Sequence, residues 1–105
     1  MLEEFLAGEA SIEITKSNYT LADQFGEMIK YLHFPSGRKF NTAYAKDTFE
    51  LKNTRMFYIY SNPYDNLIYR SSFPQCKKVY NLEEVFEEDK IALISEEDIF
   101  SVLKE

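Results

Sequence analysis

Arg55-Met56-Phe57-Tyr58-Ile59-Tyr60 is the stretch whose reading decides the fold. Aromatic and β-branched side chains fill a pleated, half-buried surface well, so the run predicts a strand. Successive strand residues point to opposite faces. Met56, Tyr58 and Tyr60 therefore share one face, and Phe57 and Ile59 share the other. Ser61-Asn62-Pro63-Tyr64-Asp65-Asn66 follows as a dense cluster of turn formers, and Leu67-Ile68-Tyr69-Arg70 reads as the return strand. Together they predict an antiparallel hairpin.

Working outward, Phe73-Pro74 breaks the pattern and Lys77-Lys78-Val79-Tyr80 reads as a further strand. Upstream, Ser11-Ile12-Glu13-Ile14-Thr15 alternates strictly and predicts a half-buried strand. A short helical turn over 2–7 precedes it and ends at Gly8, a residue suited to the left-handed conformation after a helix. Leu21, Phe25, Met28, Ile29 and Leu32 recur with helical spacing. They predict one long amphipathic helix from a Thr20–Asp23 capping box to near His33, where Phe34-Pro35-Ser36-Gly37 stops it. For residues 38–54 the reading is a loop or edge strand at 41–45. A short strand follows, where Phe49 and Leu51 alternate with Thr48, Glu50 and Lys52.

Asn81 with Glu84 caps a short helix carrying Leu82, Val85 and Phe86. After the apolar run 91–94, Ser95 with Asp98 caps a last helix over 96–104. The fold class expected is α+β: one long helix packed on a small, mainly antiparallel sheet, with short acidic C-terminal helices. No repeat, linker or low-complexity tract divides the chain, so residues 1–105 read as a single domain.

Composition narrows the function classes. A chain with 8 tyrosines, 9 phenylalanines and 45% apolar residues has enough to bury and is not disordered as a whole. Cys76 is the only cysteine, and a small secreted domain usually carries a paired set, so a reducing, cytoplasmic setting is expected. No apolar run is long enough to span a bilayer, and the start, Met1-Leu2-Glu3-Glu4-Phe5, is too acidic for a signal peptide. The net charge of −6 is segregated: residues 1–37 carry −4, residues 38–81 carry +5 and residues 82–105 carry −7.

The inventory argues against catalysis. His33 and Cys76 are the sole members of their types. Their structural readings, a helix end and a small apolar side chain, outweigh a Cys–His nucleophile. Zinc needs about four soft or nitrogen ligands, so no metal is expected. With only Gly8, Gly26 and Gly37 there is no phosphate-binding glycine loop. Ser36-Gly37-Arg38-Lys39 lacks the Walker spacing and reads as a solvated turn. No cofactor is expected.

Two features stand out as contact surfaces. Glu83, Glu84, Glu87, Glu88, Asp89, Glu96, Glu97 and Asp98 form a dense acidic stretch. Such a stretch suits docking on a basic protein, against the plainer reading of a solvated helix surface. The alternative is a nucleic-acid face in which Tyr58, Tyr60 and Tyr69 stack bases while Arg55, Arg70, Lys77 and Lys78 meet phosphates. Against it stands plain cross-strand tyrosine packing, together with acidic ends that repel phosphate.

Several segments together resemble small uncharacterised proteins of phages and prophages of Gram-positive bacteria. They are Leu2-Glu3-Glu4-Phe5-Leu6-Ala7-Gly8, Ile12-Glu13-Ile14, the helix through Phe25 and Leu32, the Ser36-Gly37 turn, the hairpin, and Asn81-Leu82-Glu83-Glu84-Val85-Phe86. The likeness runs over residues 2–88. It departs at His33-Phe34, where those proteins often carry a tryptophan, and in the tail after Asp89. The resemblance implies an accessory protein of a mobile element that binds or inhibits a host factor, and it transfers no functional residue. The expectation is a non-catalytic protein that binds an unidentified protein partner through its acidic surface.

Overall fold

A computed structural model describes residues 1–87. Its centre is a four-stranded sheet. The strands are β1 (Ala10–Thr15), β2 (Met56–Asn62), β3 (Leu67–Ser71) and β4 (Lys78–Asn81), in the spatial order β3-β2-β1-β4. β1 and β2 run antiparallel, with Ile12 opposite Ile59 and Ile14 opposite Phe57. β2 and β3 form the expected hairpin, with Tyr60 opposite Tyr69. β4 lies parallel to β1, with Ile12 opposite Tyr80, so the sheet is mixed.

All the helices pack on one side. They are α1 (Leu2–Leu6), α2 (Ala22–Met28), entered through a 3₁₀ turn at Tyr19–Leu21, and α3 (Thr42–Lys52). Residues 82–87 are also helical. The core lies between this layer and the sheet and contains Phe5, Ile12, Ile14, Phe25, Phe40, Phe57, Ile59, Ile68, Leu82 and Val85. Phe25 sits at its centre, edge-on to Phe5 at 5.4 Å and to Phe40 at 5.9 Å between ring centroids.

The long helix expected over 20–33 is shorter. α2 has seven residues and ends at Ile29, whose φ −117° and ψ 31° are not helical. The apolar stripe is nonetheless buried, at Phe25, Ile29 and Leu32. Tertiary demands cut the helix: the chain must turn so that the His33 carbonyl accepts from the Ile68 N–H at 3.0 Å, extending the sheet beyond β3. Nor is the Thr20–Asp23 capping box formed. Asp23 Oδ1 instead accepts from the Thr42 N–H at 2.8 Å and ties α2 to the start of α3.

The loop and short strand expected over 38–54 are α3, eleven residues and the longest helix among those described. Asn41 caps it through Oδ1, which accepts from the Tyr44 N–H at 2.7 Å. Asn53 ends it in the left-handed region at φ 48°. Its buried side chains are Tyr44, Ala45, Thr48 and Phe49. The apparent Phe49/Leu51 alternation misleads because Leu51 is 82% exposed. The expected Asn81–Glu84 cap is present, with Glu84 Oε2 accepting from the Asn81 N–H at 2.8 Å. The segments 91–94 and 96–104 lie outside the described residues.

Two polar clasps close the ends of the sheet. Asn18 is buried; its Oδ1 accepts from the Thr15 N–H at 2.8 Å, and its Nδ2 donates to the Glu13 carbonyl at 3.2 Å and to Glu83 Oε2 at 2.7 Å. Asn18→Ala leaves these partners unsatisfied. It is expected to lower unfolding free energy by about 1–3 kcal/mol in urea titrations, while Ser17→Ala, at an exposed neighbour, stays within about 0.5 kcal/mol.

The second clasp is Glu4, whose carboxylate meets Lys78 Nζ at 2.7 Å and the Tyr80 hydroxyl at 3.0 Å. The Lys78 hydrogen bond chiefly holds the Glu4 carboxyl below its ordinary value, and the same bond raises the Lys78 ammonium. A carboxyl depressed in the folded state stabilises above its unfolded pKa of about 4.3 and loses that contribution as pH falls through the folded value. Glu4→Gln is therefore expected to flatten the acid limb of a thermal-midpoint profile between about pH 5 and pH 2. An unchanged acid limb would count against the clasp.

Candidate functional site

The helices cover only one face of the sheet. The other face is built by alternation from Ser11, Glu13 and Thr15 of β1, Met56, Tyr58, Tyr60 and Asn62 of β2, Leu67, Tyr69 and Ser71 of β3, and Val79 and Asn81 of β4. Directly opposed residues on neighbouring strands touch, and here Tyr60 and Tyr69 stack with centroids 5.6 Å apart at 23°. The Tyr69 hydroxyl donates to Asp65, and this bond is the main reason its pKa is raised. The Tyr58 hydroxyl donates to Glu13 Oε2 at 3.4 Å. Desolvation, reinforced by that carboxylate, raises Tyr58 as well.

Residues 72–77 form a strap from β3 at one edge to β4 at the other. Passing over β1, the strap donates the Gln75 N–H to Ser11 Oγ at 3.3 Å. The Gln75 side chain reaches back to Ser71 Oγ at 3.0 Å, and the Cys76 thiol donates to the Gly8 carbonyl at 3.5 Å. Ser11, which the strap touches, is completely buried, and Tyr58 on the same face is nearly so. Between the strap and the hairpin loop lies an open groove of about 430 Å³ lined by Tyr60, Asn62, Pro63, Tyr64, Gln75 and Cys76. Tyr64, which lines it, projects into solvent at 97% exposure, and Phe73 of the strap is 74% exposed. Singly exposed apolar residues are ordinary; aromatics gathered along one groove mark a contact surface.

The structure brings Tyr58, Tyr60 and Tyr69 onto one face, as their spacing predicts, but not the bases read with them. Arg70 and Lys78 occupy positions in register with Ile59 and Ala10, on the helix side. Lys78 is bound to Glu4 there. Arg55 precedes β2 and Lys77 ends the strap, both exposed. Glu13 is the only charged side chain at a strand position of the tyrosine face.

The acidic stretch is divided too. Glu83 accepts from Asn18 and Glu84 caps its own helix, so both carboxylates have structural partners. Glu87 is exposed. Glu88, Asp89, Glu96, Glu97 and Asp98 lie outside the described residues. His33 flanks β3, whereas Cys76 lies beside Gly8 at the head of β1, with β2 between them. Among the described residues no three His, Cys, Asp or Glu side chains converge as a metal site, and no helix is long and apolar enough to cross a membrane.

Tyr64, Phe73 and Gln75 were not legible as site residues. The first sits in a turn cluster and the others beside a proline break, signals that mark loops without saying what the loops cover. No protein-family model, characterised protein or solved structure matches this chain.

Proposed function

We infer that this chain is a non-catalytic accessory protein that works by binding another protein, and that the tyrosine face is its contact. The observation that carries the reading is the groove between strap and hairpin, lined by exposed Tyr64 and by Tyr60, whose ring stacks on Tyr69. Tyrosine supplies large, rigid, amphipathic contact area at low entropic cost. The charges beside the rings are the carboxylates of Glu13 and Asp65. They favour a partner segment bearing lysine or arginine among aliphatic side chains, with cations over the rings. The same carboxylates repel phosphate, so the nucleic-acid alternative gains no support. A basic host factor as target fits the likeness to phage and prophage proteins, and the C-terminal acids would add to the attraction.

A benzophenone side chain at position 64, photo-activated in the cells that make the protein, tests this. A discrete protein adduct is expected from position 64 and not from Lys39, which lies in the helix layer between α2 and α3. Glu13→Lys with Asp65→Lys should abolish it. Equal adducts from both positions overturn the reading. So does retention of single-stranded DNA at low salt that is lost in Tyr60→Ala.

A further inference from the structure

At the end of the sheet away from Tyr64, a second cavity of about 390 Å³ opens between the end of α3 and the end of β3. Arg70, Thr48, Lys52, Thr54, Ser71 and Ser72 line it, together with Met56 and Phe57. No carboxylate lines it. Arg70 is held by neutral groups alone: its Nη1 donates to the Tyr44 hydroxyl and to Thr48 Oγ1, each at 3.3 Å, and its guanidinium carbon lies 5.9 Å from the Tyr44 ring centroid. Thr48 Oγ1 is free to accept because its own proton goes to the Tyr44 carbonyl at 2.9 Å. Burial pushes the Tyr44 hydroxyl up, so it stays protonated and neutral beside the guanidinium.

The contrast with Arg38 is informative. Arg38 also lies over the Tyr44 ring, at 5.0 Å, but Asp47 neutralises it at 3.1 Å. Arg70 has no such counter-ion among the described residues. Its position is fixed while Nε and Nη2 remain available, which is the arrangement that grips a tetrahedral oxyanion through two parallel bonds. Lys52 adds a second cation and Ser71 and Ser72 add hydroxyls, while the Thr54 hydroxyl, also in the lining, gives its proton to the Met56 carbonyl at 2.9 Å. The carbonyls at the end of α3 oppose an anion, but the left-handed turn at Asn53 and the Thr54 N–H both bond back to the Phe49 carbonyl and occupy it.

We propose that this cavity binds the phosphoryl group of a small phosphorylated molecule, with Arg70 as the clamp and Lys52 as the second cation. The volume is at the lower end of the range for small-molecule sites. The proposal does not depend on the protein-binding reading, because the two sites occupy opposite ends of the sheet.

Backbone amide NMR of the full chain, titrated with inorganic phosphate and with phenyl phosphate at constant ionic strength, tests it. Saturable shifts confined to Thr54, Ser71, Ser72 and their neighbours are expected, with phenyl phosphate the tighter of the two. Arg70→Gln should weaken binding at least tenfold and Lys52→Gln about threefold, a loss near 0.65 kcal/mol by RT ln 3 at RT of about 0.59 kcal/mol. Lys52 is exposed, so its variant decides the matter even if Arg70→Gln disturbs folding. Shifts that chloride reproduces, equal binding of acetate, unchanged affinity in Lys52→Gln, or tighter capture of oligothymidylate by the same residues would each overturn the proposal.

Discussion

Gly26→Ala is expected to destabilise this protein by about 3 kcal/mol, the upper part of the usual overpacking range. Helix propensity alone gives the opposite sign, because alanine in a helix is favoured over glycine by about 1 kcal/mol. Geometry decides between them. A Cβ on Gly26 would lie 2.1 Å from the Phe40 carbonyl oxygen and 3.3 Å from its carbon. Both are backbone atoms, so no side chain can swing aside. Relief requires α2 to move off the segment leading into α3, and that segment is anchored by buried Phe40 and by the Asp23–Thr42 bond. Denaturant titration of Gly26→Ala measures the sign directly; a variant more stable than the parent would mean that α2 and Phe40 do not approach as described.

The second large effect is Phe25→Ala, expected to cost about 3–5 kcal/mol. Small domains hold about 5–15 kcal/mol in all, so the variant should be close to unfolding at 37 °C. Phe25 is fully buried and makes edge contacts with Phe5 of α1 and with Phe40. It therefore joins the first helix, α2 and the approach to α3, and its removal leaves a cavity that three separate elements line. Phe25→Leu, which keeps most of the volume, should recover more than half of the loss. Leu51→Ala is the matching control: it sits on α3 but is almost wholly in solvent, and a change within about 0.5 kcal/mol is expected. Comparable losses at positions 25 and 51 would contradict the assigned core.

How much of this architecture could be read in the sequence depended on how far each signal was local. The strands at 11–15, 55–60 and 67–70 were legible because alternation and aromatic content need only near neighbours, and the register confirms their faces. α3 was not. Its buried side includes Thr48, a polar residue whose hydroxyl is satisfied by its own helix backbone, and its last apparent apolar residue, Leu51, points outward. The apolar stripe through Leu32 was right about burial and wrong about conformation, because Ile68 draws the chain at His33 onto the sheet edge. Shared tyrosine orientation was legible from period two. The direction of Arg70 and Lys78 was equally legible once the register was known, since each is next to a residue of the tyrosine face: Arg70 follows Tyr69, and Lys78 precedes Val79. The strap could not be foreseen, since nothing in residues 72–77 says which face they cross.

β1 occupies an interior place in the sheet although it comes before the other three described strands in sequence, and both of its partners come from the far half of the residues given. During synthesis it therefore leaves the ribosome with neither flank paired and must wait for β2 and then β4, each arriving after a long loop has to close. A nascent chain halted before Lys78 would still present one bare flank of β1, an invitation to pair with another copy or to recruit a chaperone.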